Sequence, residues 1–287
     1  MNTKQLITDY RQHGIIFPLQ ALSKSEVCQA QENYLGLGEP GKVVAEGEQR
    51  VFGHLLHPWI AQLVAHPMVL DVVRSIIGTN VLVWVSEFNA KAPKTSNFFS
   101  WHQDLYYWRH HYDDLRTIPL VTTWLALTHA NEGNGGMRVL PGSHTRLLPH
   151  AERPCQHNML TRAQEICVSV DEDEAVSVNL AAGEFSVHHP LLHHASGSNA
   201  SDQARIGLVT RYVAPNAAAI ALYNHAENAG AASALMGTML FSFGTLSAIA
   251  TAALSDDSAR SLLIVMVICS ISAMLVFYLA ARQRTTD

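Results

Sequence analysis

VTTWLALTHANEGNGGMRVLPGSH, residues Val121–His144, holds two short runs rich in β-branched and aromatic residues, separated by NEGNGG and closed by PGSH. Such runs between glycine-rich turns predict strands joined by tight connections. The same signature continues on both sides, in VLVWVSEFNA (81–90), AVSVNLAAGEFSVHH (175–189, with a turn at AAGE) and ARIGLVTRYV (204–213). Before Asn80 the spacing is helical instead. Ser23-x-x-Glu26 has the form of a capping box opening a helix through EVCQAQENYL. PWIAQLVAHPMVLDVVRSIIG (58–78) is expected as two helical pieces split at Pro67, with Gly78 stopping the second. Helices first and many short strands afterwards predict a mainly β fold, an antiparallel barrel or double-sheet jelly roll with helices packed outside it.

Bulk composition removes some function classes. A formal net charge of −5 leaves no basic footprint, so nucleic acid is not an expected partner. Cys28, Cys155, Cys167 and Cys269 lie far apart without a CxxC pair, which predicts free thiols and no zinc–thiolate site. MNTKQLITDYRQHG carries charges and no long apolar run, so no secretory leader is expected. The tail differs from the rest. Ala234–Leu254 and Leu262–Ala280 contain no charged residue, and about 20 apolar residues suffice to span the hydrocarbon core as a helix. The expected organisation is a globular domain at 1–220, a linker at 221–233 and a two-helix transmembrane hairpin at 234–281. Arg282 and Arg284 beyond the second span, against Asp256 and Asp257 between the spans, place the globular domain on the cytoplasmic side of the plasma (inner) membrane.

SWHQDLYYW, beginning at Ser100, puts His102 and Asp104 two residues apart. On a strand these side chains share a face while Gln103 points away. An imidazole and a carboxylate on one face make two thirds of a 2-His-1-carboxylate triad, which holds Fe(II) and leaves positions open. In a chain with 16 histidines the same pair also arises by chance. The third ligand must come from a distant strand, and His188, His189, His193 and His194 are all candidates by spacing. Arg205 sits among apolar neighbours, where a guanidinium is costly unless paired and suits a carboxylate. Tyr106, Tyr107 and Trp108 are candidates to line a substrate pocket.

Taken together, SWHQDLYYW, VTTWLALTHANEGNGGMRVLPGSH and HHASGSNASDQARIGLVTRY resemble the phytanoyl-CoA dioxygenase family of Fe(II)/2-oxoglutarate oxygenases, over about residues 7–213. The resemblance implies a double-stranded β-helix (jelly-roll, cupin-like) core with flanking helices. It implies Fe(2+) held by His102, Asp104 and His194, because the family's distal histidine precedes a serine by two places and an arginine by eleven. Ser196 and Arg205 would bind the distal carboxylate of 2-oxoglutarate, and Trp124 would border that pocket. His188 and His189 match positions of structural or supporting residues. The implied reaction consumes 2-oxoglutarate and O2, hydroxylates a small-molecule substrate, and releases succinate and CO2. Asp104 stands where halogenating relatives carry a small residue, so hydroxylation is the implied outcome. The tail resembles the last two transmembrane helices of a major facilitator drug-efflux transporter. It stands where relatives have a further soluble segment, so a barrel with impaired catalysis and a transporter fragment are the competing readings.

Overall fold

The computed structural model describes residues 3–38, 51–107, 119–153 and 155–214. The expected linker and the two apolar runs of the tail lie outside the described residues, as do Trp108 and most of HHYDDLRTIP (110–119). Among the described residues no single helix is long and apolar enough to cross a membrane.

Helices dominate the first part. α1 (Thr3–His13) leads into β1 (Ile15–Gln20) and α2 (Lys24–Leu35), and α2 opens on the expected capping box. The Ser23 hydroxyl accepts from the Glu26 N–H at 3.3 Å and the Glu26 carboxylate accepts from the Ser23 N–H at 2.7 Å, satisfying two end-of-helix donors reciprocally. After α3 (Gly53–Leu56), the apolar run divides into α4 (Pro58–Val64) and α5 (Pro67–Ile77), bent by 48°. Proline at position 67 cannot continue the preceding hydrogen-bond ladder, and Gly78 ends α5 with φ of +97°.

The remaining described residues supply the other strands, joined by loops and short 3-10 turns: β2 (Leu82–Lys91), β3 (Phe99–His102), β4 (Leu120–Ala126), β5 (Met137–Val139), β6 (His150–Glu152), β7 (Gln164–Ile166), β8 (Val176–Ser177), β9 (Glu184–His188), β10 (His194–Ser196) and β11 (Arg205–Val213). Five strands form one sheet in the order β1-β9-β4-β11-β2, and four form another in the order β3-β10-β5-β8. β6 and β7 make a separate pair. Among the described residues, the pairings between these strands are antiparallel. The chain passes between the two large sheets at most connections, which is the winding of a jelly roll.

Side-chain alternation explains which face does what. On β4 and β11, Val121, Leu125, Ile206, Leu208 and Tyr212 join the outer core, where they pack with Ile60, Val64, Val69 and Val73 of α4 and α5. Trp124, Ala126 and Val209 point the other way, into the space between the sheets. Both faces of β4 and most of β11 are buried, the inward positions including the polar Thr122, Arg205 and Arg211. One close approach fixes this interior: a Cβ at position 207 would overlap the Trp124 indole, so only glycine lets that ring lie flat against β11.

One local expectation needs correction. β3 ends at His102, and Asp104 opens a 3-10 turn, Asp104–Tyr107. The two side chains therefore do not share a face by strand alternation. Gln103 produces the turn. Its amide donates to the Arg146 carbonyl (2.8 Å) and the Leu191 carbonyl (2.6 Å) and accepts from the Leu148 N–H (2.7 Å). Two loops, the β5–β6 and β9–β10 connections, are thus pinned to the residue between His102 and Asp104. The Leu105 N–H reaches the Pro190 carbonyl at 2.9 Å and anchors the same turn to the loop before β10.

Candidate metal centre

Pairing of β3 with β10 sets His102 directly across from His194. Their ring centroids are 4.0 Å apart. Each imidazole is oriented by its own strand: His102 Nδ1 lies 2.8 Å from the Ser100 carbonyl and His194 Nδ1 lies 2.9 Å from the Leu192 carbonyl. A carbonyl oxygen only accepts, so each Nδ1 carries the proton and each Nε2 presents a lone pair. Asp104 Oδ1 sits 4.0 Å from His102 Nε2 and 3.9 Å from His194 Nε2. Donor atoms of all three residues fall within 4.8 Å of one another, and all three are buried. Two neutral imidazoles and one carboxylate converging in this way fit a divalent first-row cation.

Electrostatics prepare the donors. Burial lowers the His102 pKa to about 4, with Asp104 opposing the shift. Burial, reinforced by the nearby His102 imidazole, holds His194 well below the ordinary imidazole value. Both rings are therefore neutral at physiological pH. Burial pushes the Asp104 carboxyl up, but the Arg211 guanidinium, aided by His188 and His194, outweighs it and keeps the acid well below its usual range.

Asp104 is held on every side. Thr122 of β4 donates to Oδ2 at 2.9 Å, and His188 Nε2 lies 3.6 Å from the same oxygen. Arg211 Nη2 donates to Oδ1 at 3.2 Å, while its Nη1 donates to Glu87 Oε1 at 2.8 Å. His188 thus faces the centre. His189, the next residue along, stands instead beside Tyr10 and His144, with ring centroids 6.2 and 5.1 Å away. The His193 N–H donates to the Ser143 hydroxyl oxygen at 2.9 Å, and His193 is not among the grouped donors.

A cavity of about 280 Å³ opens onto this cluster, bounded by both large sheets. Arg205 lies in it, 2 % exposed, its Cζ 5.2 Å from the Trp124 ring centroid. Burial lowers its pKa to about 10, still charged at neutral pH. Its Nε and Nη2 find no hydrogen-bond partner among the described residues, and neither does the buried Asn89 Oδ1 in the same cavity. A buried guanidinium with two unused donors is costly and suits an anionic ligand. Ser196 also lines the cavity, but its hydroxyl accepts from Lys91 Nζ at 2.7 Å. Lys91 is fully buried, donates to the Gly197 carbonyl as well, and has its pKa lowered to about 6 by burial and by Arg205. Tyr107 lines the cavity, whereas Tyr106 stacks on His150 at 4.3 Å.

The sequence reading placed His102, Asp104, His194, Ser196, Arg205 and Trp124 at one site, and they do share one cavity. It did not single out Glu87, Lys91, Thr122 or Arg211. Alternation carried a signal for Arg211: with Arg205, Gly207 and Val209 it falls on the inward side of β11.

A sequence profile described as Phytanoyl-CoA dioxygenase (PhyH) matches residues 10–207. The chain belongs to the phytanoyl-CoA dioxygenase family. Similar proteins within this dioxygenase group include an ectoine dioxygenase of Streptomyces avermitilis, 32% identical over 124 residues, or 43% of this chain and 42% of the relative. A probable alpha-ketoglutarate-dependent hypophosphite dioxygenase of Stutzerimonas stutzeri is 29% identical over 174 residues, covering 57% of this chain and 56% of the relative. The chain thus spans about half the length of the curated relatives it matches. Among solved structures, the apo non-heme monooxygenase ThoJ is 33% identical with a TM-score of 0.62, covering 73% of this chain and 77% of that one. EvdO2 from Micromonospora carbonacea var. aurantiaca, complexed with 2-oxoglutarate, shares the fold at 22% identity, with a TM-score of 0.59 and coverage of 75% and 91%.

Proposed function

We propose that this chain is an Fe(II)- and 2-oxoglutarate-dependent dioxygenase that hydroxylates a small organic substrate and releases succinate and CO2. One observation carries the proposal: the His102, Asp104 and His194 donors converge in the same cavity as a buried guanidinium with unused donors. His102 Nε2, Asp104 Oδ1 and His194 Nε2 would hold the iron. Arg205 would take the distal carboxylate of 2-oxoglutarate, with the Trp124 ring keeping its guanidinium in place. Because Lys91 donates to a lone pair of Ser196 Oγ, the Ser196 hydroxyl proton stays available to that carboxylate. When bound, iron and 2-oxoglutarate supply the activation of O2; the protein supplies orientation and a cavity that excludes water. Similar proteins named for ectoine, hypophosphite and L-proline support a small polar substrate.

Incubating the protein with Fe(II), 2-oxoglutarate and air is expected to yield succinate that disappears when either iron or 2-oxoglutarate is omitted. Succinate equal to the iron-free control at all substrates tried would refute the assignment.

The tail belongs to the same proposal. The charge-free runs 234–254 and 262–280 support a membrane hairpin of major-facilitator character that tethers the oxygenase domain to the cytoplasmic face. The full chain is expected in the membrane pellet after cell lysis, resistant to alkaline wash, while a chain ending at 220 partitions to the supernatant. Full-length chain in the alkaline supernatant would remove the tether.

A further inference from the structure

Arg211 joins two carboxylates on the cavity side of the metal cluster, and this arrangement rests on the metal assignment just proposed. Its Nη2 meets Asp104 Oδ1 at 3.2 Å and its Nη1 meets Glu87 Oε1 at 2.8 Å. Oδ1 is the oxygen 4.0 and 3.9 Å from the two imidazole Nε2 atoms, so the guanidinium leans on the oxygen that faces the cation position. Oδ2 is occupied differently, by the Thr122 hydroxyl at 2.9 Å. We infer that Arg211, itself held by Glu87, is a positioning residue that keeps Asp104 ligating through Oδ1 alone and limits how much charge that oxygen gives the metal.

Two physical consequences follow from the contacts. A carboxylate that turns to offer both oxygens occupies an extra coordination position, and here Oδ2 would first have to leave Thr122 while Oδ1 left Arg211. The second consequence is electrostatic. A fixed positive charge beside the ligating oxygen opposes a divalent cation and favours an incoming dianion in the same low-dielectric space. Glu87 offsets part of that charge. Arg211 and Glu87 should therefore act on metal affinity with opposite signs, which a merely architectural ion pair would not do, since loss of either half would loosen the site in the same sense.

Binding of Mn2+ to the full-length protein, measured by calorimetry at fixed pH, tests this without turnover, followed by binding of 2-oxoglutarate to the Mn2+-loaded protein. Arg211→Gln is expected to tighten Mn2+ by about tenfold and weaken 2-oxoglutarate by about tenfold. Glu87→Gln is expected to weaken Mn2+ by roughly threefold, its charge being farther from the cation. Arg211→Lys should return the Mn2+ affinity toward the parent value. Movement of Mn2+ affinity in the same direction in Arg211→Gln and Glu87→Gln, or by less than about twofold in both, overturns the inference. Should Arg211→Gln fail to fold, Glu87→Gln alone decides, and unchanged or tighter Mn2+ binding there overturns it. A parent protein that binds no Mn2+ overturns the metal assignment as well, so the two failures are separable.

Discussion

Replacement of His194 by alanine is expected to abolish both metal binding and succinate formation, and His102→Ala is expected to do the same. Each histidine supplies one of three converging donors that lie within 4.8 Å of one another. Outer partners of metal ligands are typically worth about 10–100-fold in affinity, so loss of a ligand itself should exceed about a hundredfold. Both residues are buried, and each imidazole is tied by Nδ1 to a carbonyl, so alanine also leaves a small cavity. Thermal unfolding of the metal-free proteins separates the effects: a modest drop in Tm with no Mn2+ binding by calorimetry fits the assignment. Either variant retaining Mn2+ affinity within tenfold of the parent would show that the cation is held elsewhere.

The second large effect is expected at Arg205. Arg205→Met should weaken 2-oxoglutarate binding by about 2–5 kcal/mol, the usual consequence of removing one partner of a buried charged contact, which is about thirtyfold or more. Mn2+ affinity should stay within a few-fold, because among the described residues no ion pair joins Arg205 to the three donors, the arginine paired with Asp104 being Arg211. The stability change distinguishes a ligand anchor from a structural arginine. Without ligand, Nε and Nη2 are buried and unused, a penalty that methionine removes. The ligand-free variant is therefore expected to melt at the parent temperature or above it. A clear drop in ligand-free Tm, with 2-oxoglutarate affinity unchanged, would make Arg205 a framework residue only.

The strands were legible because turn chemistry and period-two runs mark them locally, as at NEGNGG, PGSH and AAGE. The Ser23 cap and the Pro67 break were legible for the same reason: each acts within a few residues of itself. Identifying His194 among four histidines depended on family likeness, and β3–β10 pairing gives it a physical basis, since register alone sets it opposite His102. The misreading came at Asp104. Two-residue spacing suggested one strand face, but Gln103 uses its whole amide on three distant backbone groups and forces a turn there. No local pattern announces a glutamine whose partners are more than forty residues away. Glu87, Lys91 and Arg211 were hidden likewise, because their meaning depends on the β2–β11 register, which places Val209 opposite Glu87 and Arg205 opposite Lys91.

His102 and His194 each lean on the carbonyl two positions upstream, and His150 repeats the habit, its Nδ1 2.8 Å from the Leu148 carbonyl and its Nε2 accepting the Gln103 N–H at 3.1 Å. The bearing of each ring is thus dictated by neighbouring peptide groups and owes little to the side chains that wall the chamber. Residues such as Val85, Val209 and Met159 could be exchanged to admit a differently shaped guest while both imidazoles keep their aim. Selectivity and metal capture are in this sense separable, because different groups of the chain set each one.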